Sequence, residues 1–142
     1  MAEFAIIQSG CPARKIVKNN SGVMLMNSPE LIARIITEIK ENVDLPVSIK
    51  IRLGIKDNDN LIFSFLEKIK NAPVDLITVH IRYAENFHKG EPDLEIAKKI
   101  RDYIKVKYIV NGGITTLEKA GEVLEKTNCD GLMIGRPSLI YY

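Results

Sequence analysis

One pattern runs the length of this chain and limits its fold more than any other feature. A short apolar run rich in β-branched residues is followed by a turn, an amphipathic segment and another short apolar run. The apolar runs are Phe4–Gln8, Val47–Arg52, Leu76–Ile81, Tyr108–Val110 and Gly131–Ile134. Apolar on both faces, they read as buried parallel strands. Between them lie helix candidates. Ser28–Asn42 has Ser28 as N-cap, Pro29 at the first helical position and Glu30 in the first turn. Its Leu31, Ile32, Ile35, Ile36 and Ile39 make an apolar stripe at helical spacing. Leu61–Asn71, Leu94–Ile104 and Thr116–Thr127 repeat the theme, the last with Thr115 or Thr116 as cap.

Strands that alternate with helices imply right-handed βαβ units on a parallel sheet. The repeat is roughly 25–30 residues, the size found in (β/α)8 barrels, yet a full barrel takes about 250 residues and this chain offers only five strands. An open doubly wound sheet is the other arrangement for five strands, but no glycine-rich dinucleotide fingerprint follows the first one. The expected fold is therefore α/β, a partial TIM barrel forming one domain over residues 1–142.

Composition narrows function mostly by exclusion. With 20 Lys+Arg against 18 Asp+Glu the net charge is +2, too balanced to argue for nucleic-acid binding by itself. Cys11 and Cys129 stand far apart and belong to no C-x-x-C pair, so no zinc or dithiol site is legible. There is no apolar run of membrane-spanning length and no signal-peptide pattern at the start, which makes a cytoplasmic location the expectation.

In α/β folds the chemistry gathers at the carboxyl ends of the strands. Here the first strand leads to Gly10-Cys11-Pro12, the second carries Lys50 and Arg52, and the third ends in His80 and Arg82. The fourth leads to Asn111-Gly112-Gly113 and the fifth to Gly135-Arg136. Alternation puts Lys50 and Arg52 on one face and Ile49 and Ile51 on the other. If the isoleucines meet the helices, both cations point into the barrel. The two glycine turns suit an anion, since glycine lets backbone N–H groups approach a phosphate at a helix start. Arg14, Lys15 and Lys18 form a basic loop after Cys11, either a solvated loop or a track for a polyanion. Cys129, just before the last strand, belongs to the amino-terminal rim and reads as structural.

Taken together, these motifs resemble one family. Gly-Cys-Pro-Ala-Arg-Lys-Ile at 10–16, Gly-Val-Met-Leu-Met at 22–26 and Val-Ser-Ile-Lys-Ile-Arg-Leu-Gly at 47–54 are similar to the signatures of the tRNA-dihydrouridine synthases. So are Ile77-Thr78-Val79-His80 with Arg82, Val110 to Ile114, and Leu132 to Arg136. The resemblance runs from about Ile6 to Arg136 and implies an FMN-binding TIM barrel that reduces the C5–C6 bond of uridines in tRNA with NADPH as electron source. It implies that Cys11 is the general acid that protonates C5 while reduced FMN gives hydride to C6. Lys50 and His80 would contact the flavin ring, and Asn111, Gly112, Gly113, Gly135 and Arg136 its phosphate end. Arg14, Lys15, Arg52 and Arg82 would face the substrate.

The sequence also departs from the family pattern. Gln8 stands where an Asn is usual, Ile6 where an Asp is common, Ile81 where a Gly follows the His, and Leu94 where a Trp is usual. The family's first three βα units and its helical tRNA-binding domain have no counterpart, so the chain matches strands four to eight. Such a piece would expose two sheet edges and an apolar interior, and a second chain or self-association would complete the barrel. Two other readings stay open: a truncated FMN- or RNA-binding module without activity, and a flavin-dependent dehydrogenase of a small molecule.

Overall fold

The computed structural model of the protein describes residues 3–57 and 60–135. Its strands are β1 (Ala5–Gln8), β2 (Val47–Arg52), β3 (Leu76–His80), β4 (Lys107–Asn111) and β5 (Gly131–Met133). The helices are α1 (Arg14–Lys18), α2 (Pro29–Asn42), α3 (Leu61–Ile69), α4 (Leu94–Ile100) and α5 (Leu117–Thr127). All strand pairs are parallel and the sheet order is β1-β2-β3-β4-β5. A sheet laid down in chain order, with each crossover right-handed, keeps its helices on one face. A doubly wound sheet reverses order part-way and has helices on both. The chain is therefore an arc of a (β/α)8 barrel, open at β1 and β5.

Burial follows from this topology. On the helix-facing side Val47, Ile49, Ile51, Val79, Tyr108 and Val110 are all fully buried. They pack with Ile32 and Ile36 of α2, Phe65 and Leu66 of α3, Ala97 and Ile100 of α4 and Val123 of α5 in one core. The opposite face carries Gln8, Ser48, Lys50, Thr78, His80 and Asn111, with Ile6, Leu76 and Ile109 among them. The expected apolar interior is thus corrected: strand alternation directs a largely polar set to the uncovered face. At the β1 end of the sheet Phe4, just before the strand, is 56% exposed, and Ile6, on its uncovered face, is 53% exposed.

The helices also refine the expectations. Residues Arg14 to Lys18, expected as a basic loop, form a five-residue helix followed by a 3-10 helix at Gly22–Asn27. Five residues are too few for apolar periodicity to show. Ser28 precedes α2, but its side chain makes no capping hydrogen bond. Thr116 caps α5, accepting from Lys119 N at 3.2 Å. The segment expected to be helical through Ile104 tightens into a 3-10 turn at Arg101–Tyr103. Among the described residues no helix is long and apolar enough to cross a membrane.

Candidate functional site

The register of the sheet assembles the site. Arg52, His80, Asn111 and Met133 are partners across β2, β3, β4 and β5, one row at the carboxyl ends of four strands. One layer below, Gln8, Lys50 and Thr78 form the neighbouring row on the same face. Above these rows opens a cavity of about 490 Å³, within the usual range for small-molecule sites. Cys11, Lys50, Arg52, His80, Arg82 and Asn111 all line it, together with Gly112, Gly113 and Gly135. Arg14 and Lys15 lie just outside on α1, exposed to solvent. Arg136 falls outside the described residues.

The electrostatics are one-sided. No Asp or Glu lines the cavity among the described residues, while Lys50, Arg52 and Arg82 do, in addition to two histidines. Burial, more than the neighbouring Arg52, pulls the Lys50 ammonium below its ordinary value. Burial and then Arg82 push the Arg52 guanidinium down to about 10, so it stays charged at neutral pH. His80, only 5% exposed, is pushed down to about 3 by burial first and then by Arg52, Lys50 and Arg82. It is a neutral imidazole at pH 7. Arg82 Nη1 lies 3.4 Å from His80 Nε2. An arginine can only donate, so this contact leaves Nε2 as acceptor and the proton on Nδ1.

Backbone atoms are gripped closely around the cavity. Gln8, standing where the family's Asn is usual, accepts from Gly10 N through Oε1 at 3.2 Å. Arg52 Nε donates to Gly10 O at 2.9 Å, and its Nη1 donates to Phe87 O at 2.7 Å and Tyr83 O at 3.3 Å. Arg82 Nε donates to Gly90 O at 3.0 Å. Asn111 Nδ2 donates to Met133 O at 2.8 Å and so ties β4 to β5. Gly112 and Gly113 hold φ of 110° and 73°, and a Cβ on Gly113 would fall 2.2 Å from Pro92 Cγ. Only glycine fits that turn.

His88 was not legible as a site residue. It lines the cavity and its ring stacks on His80 with centroids 5.7 Å apart. The signal was available: a second histidine in the loop that follows the strand-end histidine. Among the described residues no three metal-ligating side chains gather.

A phosphorylated, anionic cofactor fits this donor set. The cavity offers cations with no competing carboxylate among the described residues, a neutral imidazole, a carboxamide, and a glycine turn running into α5. At Gly135 an added Cβ would meet nothing within 4 Å, so backbone there faces open space. A thiol on the same cavity supplies a proton donor or a nucleophile.

Comparison with known proteins bears on the same elements. The chain matches the family model "Dihydrouridine synthase (Dus)" over residues 6–141. It is 36% identical over 135 residues to a probable tRNA-dihydrouridine synthase of Rickettsia conorii, covering 95% of this chain and 41% of that protein. It is 35% identical over 139 residues to tRNA-dihydrouridine synthase B of Pasteurella multocida, covering 97% of this chain and 42% of that one. The chain thus spans about two fifths of the length of these curated relatives. Among solved structures it is similar to a FabK mutant of Thermotoga maritima at 13% identity, with a TM-score of 0.42 over 96% of this chain and 62% of that one. That likeness is loose and adds nothing to the fold described above. The family match begins inside β1 and ends beyond β5, so it takes in all of the described elements but the first residue of β1, and the chain belongs to the dihydrouridine synthase family.

Proposed function

We propose that this chain forms the flavin-facing, proton-donating part of a tRNA-dihydrouridine synthase, which reduces the C5–C6 bond of a tRNA uridine with electrons from NADPH. One observation carries the reading: Cys11, Lys50, His80 and Asn111 arrive from four different β-α units at one cavity that no carboxylate lines among the described residues. FMN has a phosphate and, once reduced, an anionic ring. A cationic cavity suits both. When bound, the flavin supplies the two-electron chemistry.

The chain's own residues do the rest. Lys50 sets a positive charge against the ring system, and neutral His80 serves as a hydrogen-bonding partner rather than a second cation. Asn111, Gly112 and Gly113, near the start of α5 where an anion is favoured, hold the phosphate end together with Gly135, and the family resemblance adds Arg136 to them. Cys11 is the residue that supplies the proton taken up at C5. Arg14 and Lys15 on α1, beside the Cys11 loop, meet the phosphates of the RNA, and Arg52 and Arg82 add to the field that draws it in. A tRNA-modifying enzyme works where tRNA is, which puts the protein in the cytoplasm. The two open sheet edges call for strands from a second chain, a second copy or further polypeptide to complete the barrel.

The test is a titration with FMN followed by visible absorption, with the mass in solution measured alongside. The expected result is a bound flavin spectrum in the chain or its assembly. Cys11→Ala should then keep the flavin and lose uridine reduction by about a hundredfold or more. Turnover unchanged by Cys11→Ala would overturn the proton-donor role. Flavin held with no turnover in the completed assembly would favour the binding-module reading. No flavin at any concentration, even then, would overturn the proposal.

A further inference from the structure

We infer that Arg52 is a positioning residue, which fixes the Cys11 loop and the His88 loop relative to each other across the mouth of the cavity. Its guanidinium joins two segments far apart in sequence. Nε holds Gly10 O, the carbonyl just before Cys11, and Nη1 holds Phe87 O, the carbonyl just before His88. Tyr83 O at 3.3 Å extends the grip to the start of the second loop. The planar fork of an arginine spans such a pair of acceptors, whereas a lysine offers a single nitrogen on a flexible stem.

The Cys11 loop is held from its other sides as well. Gly10 N donates to Gln8 Oε1, and Val23 N donates to Cys11 O at 3.1 Å. Gly22, at a φ of 62°, makes that last approach possible, since a Cβ there would lie 2.5 Å from Cys11 O. Three of the polar backbone groups of Gly10 and Cys11 are therefore anchored, and Arg52 is the one anchor that also reaches the opposite loop.

A role in bulk stability alone does not account for this residue. Arg52 is 2% exposed and forms no ion pair among the described residues. Burying a cation beside other cations is costly, and an apolar side chain of similar volume would be better tolerated in a purely structural position. The cost is understandable where a thiol must be held within a fraction of an ångström of its target. That the fixed geometry serves proton delivery rests on the reading of Cys11 given above; the tether between the loops does not.

The experiment uses the full chain with Cys129→Ser, which leaves Cys11 as the only thiol. Its alkylation rate with iodoacetamide is compared in the parent, Arg52→Lys and Arg52→Gln. In parallel, NMR follows the backbone amides of Gly10 and His88. Arg52→Lys keeps the charge, so a changed rate there reports geometry. The expected result is a change of about threefold or more in both variants, with the two amides moving together while circular dichroism stays that of the parent. An unchanged rate in folded variants, or a shift confined to one of the two loops, would overturn the tether. Should neither variant fold, the parent decides: the Arg52 Nε–H should exchange slowly with solvent, and fast exchange would overturn the inference. Normal uridine reduction by Cys11→Ala would remove the proton-donor reading and leave the tether standing.

Discussion

The two rims of this sheet follow opposite rules. At the amino-terminal rim two cations, Lys40 and Arg101, each meet an aspartate in a construction that occurs twice. Asp75, just before β3, accepts from Val47 N at 2.7 Å and from Lys40 Nζ at 3.1 Å, while its own N–H donates to Val47 O. Asp130, just before β5, accepts from Tyr108 N at 2.8 Å and from Arg101 Nη1 at 2.9 Å, and its N–H donates to Tyr108 O. The strand N–H in each case is the main reason the carboxyl lies below the usual aspartate range. At the carboxyl-terminal rim Lys50, Arg52 and Arg82 crowd a neutral His80, with no lining carboxylate among the described residues. One rim sets aspartates against its cations; the other gathers cations around a cavity that no carboxylate lines among the described residues. Barrel enzymes divide stability and chemistry between the same two ends.

The largest expected effect tests how deeply the upper rim is committed to staying uncharged at His80. Its folded value is about 3 against 6.5 in the unfolded chain. Above 6.5 the group is neutral in both states and contributes nothing to pH dependence. As pH falls below 6.5 the unfolded chain takes up a proton that the folded chain refuses, so stability is lost by up to about 1.4 kcal/mol per pH unit. The lower-rim aspartates lose their contribution only below their ordinary values near 3.8. Chemical denaturation at pH 7, 5.5 and 4.5 should therefore show a slope that His80→Gln flattens. A variant that keeps the parent slope would place the acid sensitivity elsewhere.

Next comes the separation of binding from stability. Lys50→Met removes a cation that burial and Arg52 already disfavour. FMN affinity should drop about 10- to 100-fold, while the melting temperature holds or rises. A fall in melting temperature with affinity intact would reverse the assignment of this rim.

The lower rim should answer in the opposite sense. Asp75→Ala leaves Val47 N without its acceptor and Lys40 without its partner. Because the carboxylate is 45% exposed, solvent replaces part of what is lost, and a cost of about 1 kcal/mol is expected. Asp130→Ala should destabilise in the same direction. Flavin affinity should not change in either variant, as thermal melts and flavin titrations on the same samples would show.

The contrast between the rims also explains what the sequence disclosed. The strands were legible because their helix-facing residues are uniformly apolar: Val47, Ile49 and Ile51 are readable from alternation alone, and β2 spans the residues expected of it. The convergence of Cys11, Lys50, His80 and Asn111 was legible because the carboxyl end of a parallel strand is a fixed address in this architecture. His88 was not, since its place depends on how the loop from Tyr83 folds back onto His80, and a second histidine in that loop marks the contact without fixing it. The aspartate brackets were missed for a related reason. Asp75 and Asp130 look like ordinary turn residues, and their role appears only when Val47 and Tyr108 arrive from neighbouring strands. The polar open face was implicit in the alternation, but the premise of an apolar barrel interior concealed it.

The smallest effect, and the sharpest test of this cationic rim, needs no substitution. A cavity lined by cations, and by no carboxylate among the described residues, should gain from any anion that can enter it, in proportion to occupancy. Inorganic phosphate at millimolar concentration should raise the melting temperature by about a degree or two, corresponding to a few tenths of a kcal/mol. Chloride at equal ionic strength should do less, because screening relieves exposed charges more than these partly buried ones. Lys50→Met should blunt the phosphate response, whereas Asp75→Ala should leave it whole even though it melts lower. If phosphate and chloride act alike, or if the Asp75 variant loses the response as well, the positive charge of the upper rim is ordinary surface charge, and the division between the two rims does not hold.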